Sequence, residues 1–321
     1  MNLKPLVSVV IPSYNHEAYV EATINSILLQ DYPRIELVIV DDASKDDTWN
    51  KVLSLRPRCE QKLERVVLER NESNRGTCFT LNKLMSLAKG DFILSIASDD
   101  ILLSGAISVL LTPMIYDEAI GVVVGQNRIM DECGKICFWD ENRKNIYDKN
   151  AAVYKTFNDF IYSYSGVNQF GKSYGRYEEL VKHNHIANGF LVRRKVLDCI
   201  LPFVSEAPLE DWWWHWQMSK ITCYKSIDTP TFCYRWHAMN SIKNRDLMLR
   251  LARQTLWYEW KSLLKSGDRY YIEVFSRVHF KRKYEWGLGR FLYFERVRGI
   301  DKKWHEFHIG KWSLKFRERG I

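Results

Sequence analysis

Two apolar runs in this chain each end in adjacent acids. Leu37-Val38-Ile39-Val40 leads into Asp41-Asp42-Ala43-Ser44, and Phe92-Ile93-Leu94-Ser95-Ile96 leads into Ala97-Ser98-Asp99-Asp100. Short apolar runs of this kind read as strands buried on both faces of a parallel sheet. Ligands of open α/β sheets sit outside the carboxyl ends of the strands. Two acidic strand ends about sixty residues apart therefore predict one acid-lined cleft. Carboxylates gathered there bind a hard divalent cation and, through it, a phosphate-bearing ligand.

The surrounding pattern supplies the sheet. Leu6–Ile11 is a β-branched run stopped by Pro12-Ser13-Tyr14-Asn15. Apolar residues then recur at helical spacing from Glu17 to Leu29, and Asp31-Tyr32-Pro33 ends that helix. A strand at 37–40, a helix at 48–55, a strand at 65–69, a helix at 77–88 and a strand at 92–96 follow. This β-α alternation predicts a mostly parallel sheet with right-handed crossovers. Beyond Asp100 we expect a helix at 107–116, strands at 121–125 and 190–192, helices at 194–201 and 210–220, and a strand at 229–236. Residues 130–185 are polar and aromatic and read as a functional loop region. Residues 244–299 read as helical.

Composition sets the outer bounds. The 321 residues are 46% hydrophobic, ample for a packed core. Apolar stretches fall far short of the ~18 residues of a membrane span. Met1-Asn2-Leu3-Lys4-Pro5 leads directly into the first strand, so no secretory signal is expected. Seven cysteines without a CxxC pair suit reduced thiols in the cytoplasm. Net charge is −4 over residues 1–234 and +12 over 235–321, and that tail also holds 17 of the 44 aromatic residues. Such a tail suits an anionic membrane surface, with nucleic acid as the competing polyanion.

Three ordered motifs carry a resemblance: Val7-Ser8-Val9-Val10-Ile11-Pro12-Ser13-Tyr14-Asn15, Val40-Asp41-Asp42-Ala43-Ser44-Lys45-Asp46-Asp47-Thr48 and Ser98-Asp99-Asp100. Together they resemble a family 2 glycosyltransferase of the A fold, of the bacterial surface-polysaccharide type. The resemblance is dense over 7–100 and sparse over 185–240. It implies an α/β catalytic domain at 1–240, with a nucleotide-binding half at 1–100 and an acceptor half at 101–240. A basic, aromatic, helical extension at 241–321 lies outside the resemblance.

The resemblance also implies roles. Asp100 ligates a divalent metal, Mn²⁺ or Mg²⁺, with His237 as a further ligand. Asp99 reaches the ribose or diphosphate, and one of Asp41 and Asp42, Asp41 in preference, accepts a hydrogen bond from the donor's base. Pro12, Tyr14, Asn15 and Glu17 line the nucleotide pocket, Arg75 approaches the donor, and Asn188-Gly189 touches it. The usual motif often begins with a further acid, and Ala97 and Ser98 stand in that part of it here. Asp211, in Pro208-Leu209-Glu210-Asp211-Trp212, is the catalytic base, and Glu210 orients or binds the acceptor. Apart from the resemblance, the rings of Trp212, Trp213, Trp214 and Trp216 either pack in the core or stack on sugar faces, with Trp212 and Trp213 the candidates for the acceptor. His183 and His185 are placed in the acceptor loop.

The activity so implied is inverting transfer of a sugar from a nucleotide diphosphate sugar, a UDP-sugar in preference, to a hydroxyl of a lipid-linked oligosaccharide. It would take place at the inner face of a bacterial inner membrane, in O-antigen, capsule or related synthesis. A homodimer is a further expectation, with the tail aromatics as interface; nucleic acid is not expected as a partner. Two rivals stand beside this. A nucleotidyltransferase would need a basic glycine-rich loop after the first strand, and Pro12-Ser13-Tyr14-Asn15-His16-Glu17 has neither glycine nor Lys/Arg. A nucleic-acid-binding protein using the +12 tail would leave the paired acids unexplained.

Overall fold

We analysed a computed structural model that describes residues 4–282, 292–298, 303–309 and 312–317, with side chains to residue 279. The chain forms two compact units. One comprises Met1–Ser205 with Glu210–Lys243, the other Glu206–Leu209 with Asn244–Ile321.

The first unit begins with β1 (Val7–Ser13), α1 (Val20–Leu28), β2 (Ile35–Asp41), α2 (Thr48–Ser54), α3 (Arg56–Lys62), β3 (Arg65–Arg70), α4 (Thr77–Leu87) and β4 (Phe92–Ser95). β1 pairs in parallel with β2 and with β4, and β2 with β3. The sequence pattern foretells each of these strands. Val7, Val9 and Ile11 of β1 and Leu37 and Ile39 of β2 are fully buried, in one cluster with Ile24 and Ile27 of α1. Each such side chain contributes about 1.5–3 kcal/mol by leaving water. α4 packs on β1 and β2.

The sheet then turns mixed. It continues with β5 (Ile101–Leu102), α5 (Ala106–Tyr116), β6 (Ile120–Met130), β7 (Ile136–Trp139), β8 (Asn145–Ile146), α6 (Phe157–Ser165), α7 (Tyr177–Leu180), β9 (Leu191–Arg193), α8 (Arg194–Asp198), α9 (Glu210–Ser219) and β10 (Cys223–Arg235). The order is β3-β2-β1-β4-β9-β6-β10-β5. β9 is antiparallel to both β4 and β6, while β6 and β10 are parallel. Two reversals restore direction, so β1, β2, β4, β6 and β10 all finish at one edge of the sheet. β9 starts there. Residues 130–185, expected as loop, contain β7, β8, α6 and α7. α6 is set by a capping box, in which Thr156 accepts from the Asp159 N–H and the Asp159 carboxylate accepts in return.

The second unit contains α10 (Arg245–Ser266) and α11 (Arg269–His279), then an antiparallel sheet of β11 (Phe280–Arg282), β12 (Leu292–Arg298), β13 (Lys303–Ile309) and β14 (Trp312–Arg317). The helical expectation for 244–299 therefore holds only to residue 279. Beyond it, aromatic and β-branched residues interleave with charges, a composition that strands favour. Trp260 and Phe275, expected to offer their rings to a membrane, are buried and stack on each other at 5.8 Å. Trp257 is exposed. The side chains of Lys281, Arg282 and Lys283 lie outside the described residues.

Candidate active site

The strand ends that share one edge carry loops tied together by side chains. Past β1, Asn15 adopts φ +51°, a left-handed value that asparagine tolerates. Its N–H donates to Ser44 Oγ (2.9 Å), and its Oδ1 accepts from the Lys45 N–H (2.8 Å). Glu17 N–H donates to Asp46 Oδ2 and Asp47 N–H donates to Glu17 Oε2. Asn15 and Glu17 thus lace the β1 loop to the β2 loop. Tyr14 is exposed and Pro12 half-buried on the same rim.

Asp41 has no accessible surface. It accepts from the Ser44 N–H (2.9 Å) and hydroxyl (2.5 Å), and Arg70 Nε lies 3.2 Å away. Expected to meet the donor base directly, it instead holds the turn. Asp42 accepts from Asn71 Nδ2 and from the N–H groups of Arg75 and Gly76, each at 2.8 Å. It fixes the loop before α4, from which the exposed Arg75 side chain lies over Phe79 at 4.2 Å. Gly189 has φ +74°, and a Cβ there would lie 2.3 Å from Phe232. Packing explains this glycine without a ligand. The neighbouring Asn188 carbonyl accepts from Asn127 Nδ2.

The acids after β4 divide. Asp99 Oδ2 lies 2.9 Å from His237 Nε2 and 3.8 Å from His16 Nε2. Among the described residues, His16, Asp99 and His237 form a group able to hold a metal ion, each offering one ligand atom within 4.8 Å of the others. His16 was not among the expected residues. Its Nδ1 is 2.8 Å from Ser98 Oγ, which aims Nε2 at the cluster, the usual outer-shell device of a metal-bound histidine. His237 Nδ1 accepts weakly from the Met239 N–H, at 3.3 Å. Its Nε2 proton therefore points at Asp99, and a bound cation would replace that proton. Two imidazoles and one carboxylate form a donor set suited to a transition ion.

Asp100, the expected metal ligand, stands outside this cluster. It is 1% exposed and its Oδ1 accepts from the Arg235 N–H at 2.8 Å. β5 pairs antiparallel with the end of β10, which puts Asp100 against the β10 backbone and leaves Asp99 facing the imidazoles. Burial, then the charge of Asp99, pushes the Asp100 carboxyl well above its ordinary range. Burial pushes Asp99 up as well. The His237 hydrogen bond and the imidazole charges outweigh it and leave the carboxyl lowered. Arg235 Nε donates to the Asp99 carbonyl at 2.7 Å and clamps the turn.

A second pair of acids opens α9. Asp211 Oδ2 accepts from Asn184 Nδ2 (3.0 Å) and Oδ1 from the Trp212 N–H (2.7 Å). The Tyr164 hydroxyl donates to the Asn184 carbonyl at 3.1 Å. Burial raises Asp211, and burial followed by the Asp211 charge raises Glu210 to about 8. Both carboxyls are therefore more basic than exposed ones, and the Asp211 charge adds to the rise of Glu210. Tyr234 lies in the field of Asp100, Asp99 and Asp211, so both acid pairs border one region.

The tryptophans divide differently from expectation. Trp213, Trp214 and Trp216 are buried. Trp212 is half-buried, with Nε1 donating to the Leu180 carbonyl and its ring 4.7 Å from Trp216. Trp213 is core, not an acceptor platform. His185 is fully buried, with its pKa lowered by burial to about 4; only His183 of that pair is exposed.

With this geometry in place, comparisons with known proteins assign the family. The profile for glycosyl transferase family 2 matches residues 8–201. A putative teichuronic acid biosynthesis glycosyltransferase, TuaG of Bacillus subtilis, is 39% identical over 99 residues, which are 31% of this chain and 38% of that protein. WfgD of Escherichia coli, a UDP-Glc:α-D-GlcNAc-diphosphoundecaprenol β-1,3-glucosyltransferase, is 31% identical over 144 residues, 45% of this chain and 54% of the relative. The matches thus span about a third to a half of these curated relatives. Among solved structures, Staphylococcus aureus TarS 1–349 in complex with UDP-GlcNAc aligns with TM-score 0.54 and 17% identity, covering 78% of this chain and 66% of that one. The mannosyltransferase PcManGT of Pyrobaculum calidifontis, in complex with GDP-Man and Mn²⁺, aligns with TM-score 0.56 and 15% identity, covering 86% and 74%. At such identities the likeness speaks for the fold, the A-type glycosyltransferase fold. Since the family profile covers more than half of the chain, from the first strand through the acid-ended loops and β9, the chain belongs to glycosyl transferase family 2.

Proposed function

We propose that this chain transfers a sugar from a nucleotide diphosphate sugar to an acceptor hydroxyl, with inversion, in bacterial surface-polysaccharide synthesis. The observation that carries the reading is the division of labour between two acid pairs: a lowered Asp99 among imidazoles and a raised, tethered Asp211 beside a raised Glu210.

In this reading His16, Asp99 and His237 hold a divalent cation. When bound, the cation offsets charge on the leaving diphosphate as a Lewis acid. The nitrogen-rich set favours Mn²⁺ over Mg²⁺. Asp211 takes the proton of the acceptor hydroxyl, and its raised pKa makes it a stronger base than an exposed aspartate. Asn184 and the Trp212 N–H fix both of its oxygens, so the free lone pairs have one orientation. Glu210, raised by burial and by the Asp211 charge, adds less negative charge beside Asp211 than an exposed glutamate would. One displacement, with base and leaving group on opposite sides, inverts the configuration.

The relatives' names support a lipid-linked acceptor: WfgD acts on a diphosphoundecaprenol substrate, as does a Campylobacter jejuni relative named for GalNAc(5)-diNAcBac-PP-undecaprenol, 33% identical over 108 residues. UDP in the TarS complexes supports a UDP-sugar donor. No helix among the described residues is long and apolar enough to cross a membrane. The +12 tail supports peripheral attachment to an anionic inner face, which co-sedimentation with anionic vesicles, lost at high salt, would register. Hydrolysis of a panel of UDP- and GDP-sugars with Mn²⁺ tests the activity. Turnover of at least one donor, dependent on Asp99, is expected; equal turnover without metal would contradict it.

A further inference from the structure

Two cations share one aromatic ring beside the proposed cation cluster. Arg143 Cζ lies 5.4 Å from the centroid of Trp236 and 5.1 Å from that of Phe160, and Lys243 Nζ lies 4.0 Å from Trp236. Trp236 is buried and is held by Trp139 at 4.6 Å. Among the described residues, neither cation makes a side-chain hydrogen bond or an ion pair. Burial first, then the Arg143 charge, lowers the Lys243 pKa, with only Glu132 opposing. Arg143 also holds φ +61°, a costly conformation for a non-glycine residue that persists where surroundings enforce it. Its N–H donates to the Asp140 carbonyl at 3.1 Å in the β7–β8 turn.

Like charges gathered on a rigid ring, neither held in an ion pair among the described residues, suit an anion. The position suggests which. Trp236 immediately precedes His237. Tyr164 lies in the field of both Asp211 and Arg143, and Tyr234 in the field of Asp99, Arg143 and Asp211. A group held by Arg143 and Lys243 is thus beside both halves of the site.

We propose that Arg143 and Lys243, mounted on Trp236, form a phosphate clamp. The reading of the chain as a transferase enters only in naming the source: the diphosphate of the donor, or a diphosphate linking the acceptor to its lipid.

The test is calorimetry on the full chain, wild type against Arg143→Gly, Lys243→Ala and the double variant. Glycine is chosen because it accepts φ +61° without strain. Three probes are used: inorganic pyrophosphate, UDP with Mn²⁺, and farnesyl diphosphate with farnesol as its uncharged control. Wild type should bind pyrophosphate in a salt-sensitive manner, weakened about tenfold for each cation removed, a size ordinary for a charge-assisted contact. Lys243→Arg should retain binding. Weakened UDP binding assigns the donor diphosphate. Weakened farnesyl diphosphate binding with UDP unchanged and farnesol indifferent assigns the acceptor. Pyrophosphate binding equal in wild type and double variant, or absent from wild type, overturns the clamp. Loss of all UDP binding by wild type, with pyrophosphate still discriminating, overturns the transferase reading and leaves the clamp standing.

Discussion

Asp99-Asp100 and Glu210-Asp211 are both adjacent acid pairs at the start or end of a regular element, yet they behave oppositely. In the first pair the neighbours differ in kind. Asp99 meets two imidazoles, while Asp100 meets a backbone N–H inside the sheet, so one carboxyl is lowered and the other raised. In the second pair no cation among the described residues lowers either acid, and both rise. The residue type is the same, and the partner decides whether the site stores a negative charge or a proton. That difference is what a transferase needs: fixed negative charge for a cation at one place, and a proton acceptor of raised basicity at another.

Single substitutions separate the two pairs. Asp211→Asn should lower kcat by ~10²–10⁴-fold, the span of general-base catalysis, with UDP binding unchanged. A raised KM at constant kcat would instead make Asp211 an acceptor-binding residue. Asp99→Asn should weaken Mn²⁺ binding, read by electron paramagnetic resonance, by more than the ~10–100-fold typical of an outer-shell loss. Asp100→Asn keeps an oxygen for the Arg235 N–H and should change Mn²⁺ affinity far less than Asp99→Asn; an equal loss would restore Asp100 as a ligand. Ser98→Ala frees His16 Nδ1 and should cost about tenfold in Mn²⁺ affinity, with no change in the Asp211-dependent pH limb.

The smallest effect sharpens the second pair. Glu210 has a folded pKa of about 8 against an ordinary value of 4.5. Between these values the folded state holds a proton that the unfolded state has lost, so stability falls as pH rises through this window. Glu210→Gln should flatten that slope, measured as chemical denaturation midpoints from pH 5 to pH 8. A slope unchanged by the substitution would mean that Glu210 is ionised in the fold.

The sheet was legible because continuous apolar runs and turn residues act locally, and strands β1 to β4 follow from them. The site was only half legible. Sequence adjacency does not tell which of Asp99 and Asp100 faces the imidazoles; the antiparallel pairing of β5 with β10, 130 residues away in sequence, decides it. His16 was given no role in the sequence, because nothing within its own loop marks it as a ligand. The signal was Ala97-Ser98, standing in the part of the motif where a further acid is usual: a missing ligand invites a search for its replacement on the neighbouring loop. Asp41 drew attention as an acid at a strand end, but Ser44 and Arg70 occupy it. The tryptophans of α9 looked like a sugar platform because helical spacing alone cannot show how many sides of a helix are covered. Strands β11 to β14 were missed since their aromatics fit either period.

The central claim is that Asp99, with its two histidines, holds the cation while Asp211 does not. Calorimetric titration of UDP, with and without Mn²⁺, into wild type, Asp99→Asn and Asp211→Asn tests it most directly. Mn²⁺-dependent UDP binding is expected in wild type and Asp211→Asn, and its loss in Asp99→Asn. Mn²⁺-dependent binding that survives in Asp99→Asn, or disappears in Asp211→Asn, would contradict it.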